Sequence, residues 1–82
     1  MERRDIEQRL VEDPMNAPLR AEYADLLLAV GESAAAHRQF DLLRRQCPDE
    51  AAPLLGLTRC LLGEGDGIRA RECYREARGK QG

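Results

Sequence analysis

Shifted against itself by 34 residues, the chain meets its own pattern. Pro14 falls on Pro48, Ala17 on Ala51, Leu27 and Leu28 on Leu61 and Leu62, Gly31 on Gly65, Ala36 on Ala70 and Arg44 on Arg78. Conservative partners lie between these identities: Tyr23 with Leu57, Leu26 with Cys60, Glu32 with Asp66, Phe40 with Tyr74 and Leu43 with Ala77. The matches gather at glycines, prolines and apolar positions. Elsewhere the copies diverge, as with Asp25 against Arg59 and His37 against Arg71. A period of this length marks stacked supersecondary units, each burying an apolar face on the next. It restricts the chain to a repeat architecture before any single element is assigned.

Within the first unit Leu19, Tyr23, Leu26, Leu27 and Val30, then Ala36, Phe40 and Leu43, recur at helical spacing, which predicts two helices per unit and an all-α class. Gly31 and Gly65 stand where the first helix of each pair must stop, because glycine adopts the left-handed conformation at little cost. Ser33 and Asp66 are the predicted N-caps of the second helices, and Asn16 and Asp49 those of the first, with Pro18 and Pro53 in their opening turns. Cys47-Pro48 ends the helix between units, since a residue before proline is pushed out of the helical region. Pro14 does the same after an N-terminal helix running from Arg3 to Glu12. The expected organisation is one domain of about five helices. Residues 1–16 form the half repeat at its start, 17–50 repeat one, and 51–82 repeat two, truncated at its end.

The spacing Ala36-x3-Phe40-x7-Pro48, echoed by Ala70-x3-Tyr74, resembles the tetratricopeptide repeat. In that reading the small residue lets paired helices approach and the aromatic fills the gap between successive pairs. The resemblance covers Ala17 to about Arg78 and implies antiparallel helix pairs stacked as a short right-handed superhelix. It departs from the family pattern on the first helices. The family's tryptophan, leucine, glycine and tyrosine are replaced by Arg20, Tyr23, Ala24 and Leu27, then by Leu54, Leu57, Thr58 and Leu61. The second closing proline would fall on Gly82.

The resemblance further implies a partner segment held in the concave groove made by the first helix of each pair. Projected onto this chain, that groove is formed by Ala21, Asp25, Leu28, Leu55, Arg59 and Leu62, with Asp25 and Arg59 placed to pair across it. Family members that clamp a terminal carboxylate use lysines and asparagines where this chain has Ala21, Asp25 and Leu55, which disfavours that ligand. A second expectation concerns the end of the stack. Terminal repeats need a polar cap, and Leu57, Leu61, Ala70 and Tyr74 are expected to lie uncovered there, making a homo-oligomer or an assembly module of a larger protein the alternative function. A third alternative is RNA contact through Arg71, Arg75 and Arg78 on the last helix, where residues 69–80 carry a local excess of positive charge.

Thirteen Lys and Arg against fifteen Asp and Glu give a net charge of -2, which argues against a general nucleic-acid or acidic-membrane binder. The aromatics are too few for stacking platforms, and Tyr23, Phe40 and Tyr74 are read as core. Cys47, Cys60 and Cys73 form no C-x-x-C pair, and an odd number cannot all pair within one molecule. With no apolar leader following Met1, the expectation is a cytoplasmic chain with reduced thiols and no metal or cofactor. His37 has Asp41 one turn on, but no nucleophile completes a triad. Gly63-Glu64-Gly65-Asp66-Gly67 lacks the strand and lysine of a phosphate loop. The chain is therefore read as a non-enzymatic module for binding a protein or peptide.

Overall fold

The computed structural model describes residues 2–81 and is all-helical. Five helices follow in order: α1 (Arg3–Glu12), α2 (Ala17–Ala29), α3 (Ser33–Gln46), α4 (Ala52–Gly63) and α5 (Gly67–Gln81). Gly82, the position of the family's second closing proline, lies outside the described residues. Each helix packs on the next, and α2 also touches α4. Because the connections are short, packed neighbours run antiparallel.

The turns carry the 34-residue period in their hydrogen bonds. After α2, Gly31 N–H donates to the Leu28 carbonyl at 3.1 Å and Glu32 N–H to Leu27 at 2.9 Å. After α4, Gly65 donates to Leu62 at 3.1 Å and Asp66 to Leu61 at 2.8 Å. Both are the paired bonds of a Schellman stop, which requires a left-handed residue. Gly31 and Gly65 supply it at φ 84° and 82°. The other connections match too. Asp13 and Cys47 close α1 and α3 at φ/ψ of -139°/70° and -128°/67°, and Asn16 N–H to Asp13 and Glu50 N–H to Cys47 form the turns that follow.

Two predicted caps form and two do not. Asn16 Oδ1 accepts from Leu19 N–H at 3.1 Å, and Asp66 Oδ1 from Arg69 N–H at 3.1 Å. Ser33 is the first residue of α3 rather than its cap, because the Schellman bond of Glu32 places Glu32 at the cap position. Asp49 stays in the turn after Pro48; α4 begins one residue later than the offset predicts, with Ala51 at its cap in helical conformation.

One apolar cluster joins Ile6 and Leu10 of α1 to residues of α2, α3 and α4 and to Ala77 of α5. The equivalent pairs Tyr23/Leu57, Leu27/Leu61, Ala36/Ala70 and Leu43/Ala77 are all buried. Gly56 in α4 lies against the ring of Phe40 in α3, so that a Cβ there would stand 2.5 Å from Cδ1. The expectation of an aromatic between successive pairs is met at Phe40. At Tyr74 it is not: Phe40 is 4% exposed and Tyr74 44%.

Polar ties fasten the first helix. Tyr23 donates its hydroxyl hydrogen to Glu7 Oε2 at 2.6 Å, and Arg3 pairs with Glu32 in the α2–α3 turn. Burial first, then the Glu7 bond, raises the Tyr23 pKa above its ordinary value. Arg20 donates to Gln39 Oε1 at 2.6 Å and to the Pro14 carbonyl at 2.9 Å, binding the α1–α2 turn to α3. Thirty-four residues on, Leu54 and Cys73 stand where Arg20 and Gln39 do, and Leu54 is fully buried. The first unit thus has a polar bridge where the second has a buried leucine and a half-buried cysteine.

Candidate functional site

A hollow of about 240 Å3 opens between the first halves of α2 and α4. Ala17, Pro18 and Ala21 line it from α2, and Ala52 and Pro53 from α4. Its floor is Phe40 and Leu43 of α3, and Asp25, Cys47 and Glu50 complete the lining. Pro18 and Pro53 tolerate these places because an opening turn has no hydrogen bond for their nitrogens to make. Small side chains on both walls leave the space open. Asp25 and Glu50 are exposed, so the hollow is apolar within and acidic at its margin.

Of the six projected groove residues, the structure brings Ala21 and Asp25 to this hollow. Leu28 and Leu55 are half-buried against the core, while Arg59 and Leu62 are exposed further along α4. Among the described residues Asp25 and Arg59 form no ion pair: both side chains are solvated, and neither is held by a neighbour. Cys47 and Glu50 lie outside the projected set because the projection takes only first helices and the inter-unit turn also enters the wall. The sequence signal for them was the Pro48 turn itself, which sets where α4 starts.

The expected uncovered end is mostly covered. Leu57 and Leu61 of α4 and Ala70 of α5 are buried, since α5 packs directly on α4; Tyr74 alone of the four is exposed. His37 and Asp41, one turn apart on α3, have separate partners. Asp41 binds Arg44 at 2.7 Å and Arg45 at 3.2 Å, and His37 Nδ1 instead lies 3.3 Å from Glu64 beyond α4. Arg71, Arg75 and Arg78 are exposed along α5, and Gly67, Ile68, Arg71, Glu72 and Arg75 line a shallow depression there.

All three cysteines are free. Cys60 is enclosed, and burial, with Glu64 adding to it, pushes its thiol up to about 11 from the ordinary 9.0. Burial, then Glu76, also raises Cys73. The unfolded chain releases the Cys60 proton near its ordinary value while the folded chain keeps it. Stability from the neutral thiol is therefore present below pH 9 and lost as the pH climbs toward 11. Urea unfolding is expected to show a loss on the order of 2 kcal/mol over that interval, diminished in Cys60→Ala. Cys73 and Tyr23, both raised, add losses of the same sign that survive in the variant. An equal pH dependence in both chains would contradict the assignment to Cys60.

Among the described residues no three His, Cys, Asp or Glu side chains gather to hold a metal ion, and no helix is long and apolar enough to cross a membrane. Compared with models of protein families, with curated proteins and with solved structures, the chain matches none.

Proposed function

We propose that this chain is a non-enzymatic, tetratricopeptide-like interaction module of the cytoplasm that takes a segment of a partner protein into the hollow between α2 and α4. The observation that carries the reading is the hollow itself: an apolar floor at Phe40 and Leu43, walls of alanine and proline, and carboxylates at Asp25 and Glu50. Such a site buries small apolar side chains and orients them by a few polar groups. The acidic margin favours a segment carrying Lys or Arg beside its apolar anchor. The recurrence of both turn types at the 34-residue offset supports the repeat reading.

Selection from a displayed library of peptides tests this. Enriched peptides are expected to pair a small apolar residue with a basic one. Asp25→Arg together with Ala52→Glu is expected to reduce their binding about tenfold or more at unchanged melting temperature. Both positions are exposed, so the fold tolerates the changes. Binding indifferent to the double substitution, or no enrichment at all, would refute the site.

A further inference from the structure

Beyond the hollow, the exposed side of α5 repeats a face whose cover is visible one unit earlier. On α3 that face holds Ser33, His37 and Phe40, and α4 lies across it. Gly63 sits against Ser33, where a Cβ would come 2.8 Å from Oγ; Glu64 approaches His37 at 3.3 Å; and Gly56 meets the Phe40 ring. The equivalent residues of α5 are Gly67, Arg71 and Tyr74. Arg71 and Tyr74 are exposed, and Ile68 beside them is 78% exposed.

Charge distinguishes the two faces. On α3 the flanking residues are His37, Asp41 and Arg44, a mixed set in which Asp41 neutralises Arg44. On α5 the same places hold Arg71, Arg75 and Arg78, and among the described residues none of these arginines forms an ion pair. Spacings of three and four residues put them around Tyr74 on one side of the helix. Where α3 meets a single carboxylate at Glu64, α5 offers three guanidinium groups to such carboxylates.

We propose that this face of α5 is a second docking surface, and that its occupant is an acidic helix of another protein. That helix would carry glycine or alanine opposite Tyr74 and carboxylates opposite the arginines, and lie on α5 as α4 lies on α3. Close approach at the small residue lets the Tyr74 ring pack close to the helix backbone, as Gly56 allows for Phe40. The carboxylates supply orientation and a salt-dependent association rate.

The chain's own α4 segment provides the probe. A synthetic peptide of residues 49–64 carries Asp49 and Glu50 at one end, Gly56 in the middle and Glu64 at the other. A lactam bridge joining the positions of Thr58 and Leu62, on the side away from Gly56, holds it helical. Titrated into the isotope-labelled full chain, it is expected to shift the amide signals of Arg71, Tyr74, Arg75 and Arg78. Its affinity should fall about tenfold with Arg71→Glu/Arg75→Glu in the protein, or with Gly56→Leu in the peptide, and should weaken as salt is added. An unchanged melting temperature verifies that the protein variant is folded. Shifts centred on α2 and α3, or none at the peptide's solubility limit, would overturn the proposal. Shifts at these residues with concentration alone and a doubled mass would assign the face to a second copy instead. Shifts with oligouridylate but not with the peptide would assign it to RNA. The Asp25→Arg/Ala52→Glu chain should bind the peptide normally, so failure at one surface is separable from failure at the other.

Discussion

Replacing Gly56 by alanine is expected to destabilise the fold by about 1–3 kcal/mol, although alanine is the better helix former. The position is interior to α4, so propensity alone would favour the change by about 1 kcal/mol. Packing decides against it. The added methyl would stand 2.5 Å from Phe40 Cδ1 and 2.6 Å from Cζ, well inside carbon–carbon contact. Something must move, and the ring is enclosed on its other sides. Its one open direction is the hollow between α2 and α4, whose floor it forms. The substitution is therefore expected to lower the melting temperature by roughly 4–8 °C for each kcal/mol lost and also to shrink the groove. Phe40→Leu should recover part of the stability in the Gly56→Ala chain while being destabilising alone, a coupling that a double-mutant cycle reads directly. A Gly56→Ala chain more stable than its parent would show that the ring does not press on α4.

Much of this architecture was legible because the signals that set it are local. Gly31 and Gly65 stop helices by their own backbone freedom, and Pro14 and Pro48 do so by restricting the residue before them. Neither depends on what packs nearby. Apolar spacing then found the helices and most of the core. Local reasoning failed where a neighbour decided the outcome. Ser33 reads as a cap until the Schellman bond of Glu32 claims that place, and Asp49 reads as a cap until α4 starts one residue later with Ala51 at its cap. Gly56 carries no sequence signal for its role. It falls opposite Glu22 in the repeat alignment, and only the approach of α3 reveals what its missing side chain permits.

The candidate site was legible in smaller part. The family resemblance implies a groove side holding Ala21 and Asp25, and the hollow contains them, whereas Leu28 and Leu55 pack against the core. A projection onto single helices assigns faces but not depths. Depth depends on the neighbouring pair: Ala52 and Pro53, in the opening turn of α4, stand in the wall opposite Ala17 and Pro18.

Phe40→Ala and Tyr74→Ala occupy one repeat position and are expected to differ by about 3 kcal/mol in their effect on unfolding. Phe40 is enclosed between α3 and α4, so its truncation leaves a cavity and forfeits the transfer energy of the ring, about 3–5 kcal/mol. Against the 5–15 kcal/mol that holds a domain of this kind together, that loss brings the chain close to unfolding. Among the described residues no helix covers Tyr74 as α4 covers Phe40, and Tyr74 keeps nearly half its surface in water. Its truncation removes partial burial without opening an enclosed cavity, and a smaller loss of about 1 kcal/mol is expected. Urea denaturation of the two variants, compared at equal slope, measures the difference. Equal losses would mean that α5 is closed by contacts within the chain, and the docking surface proposed for it would fall. The predicted asymmetry means instead that the second unit keeps its aromatic where the first has spent it on packing. Tyr74→Ala should then cost binding of the acidic helix rather than stability, the reverse of Phe40→Ala.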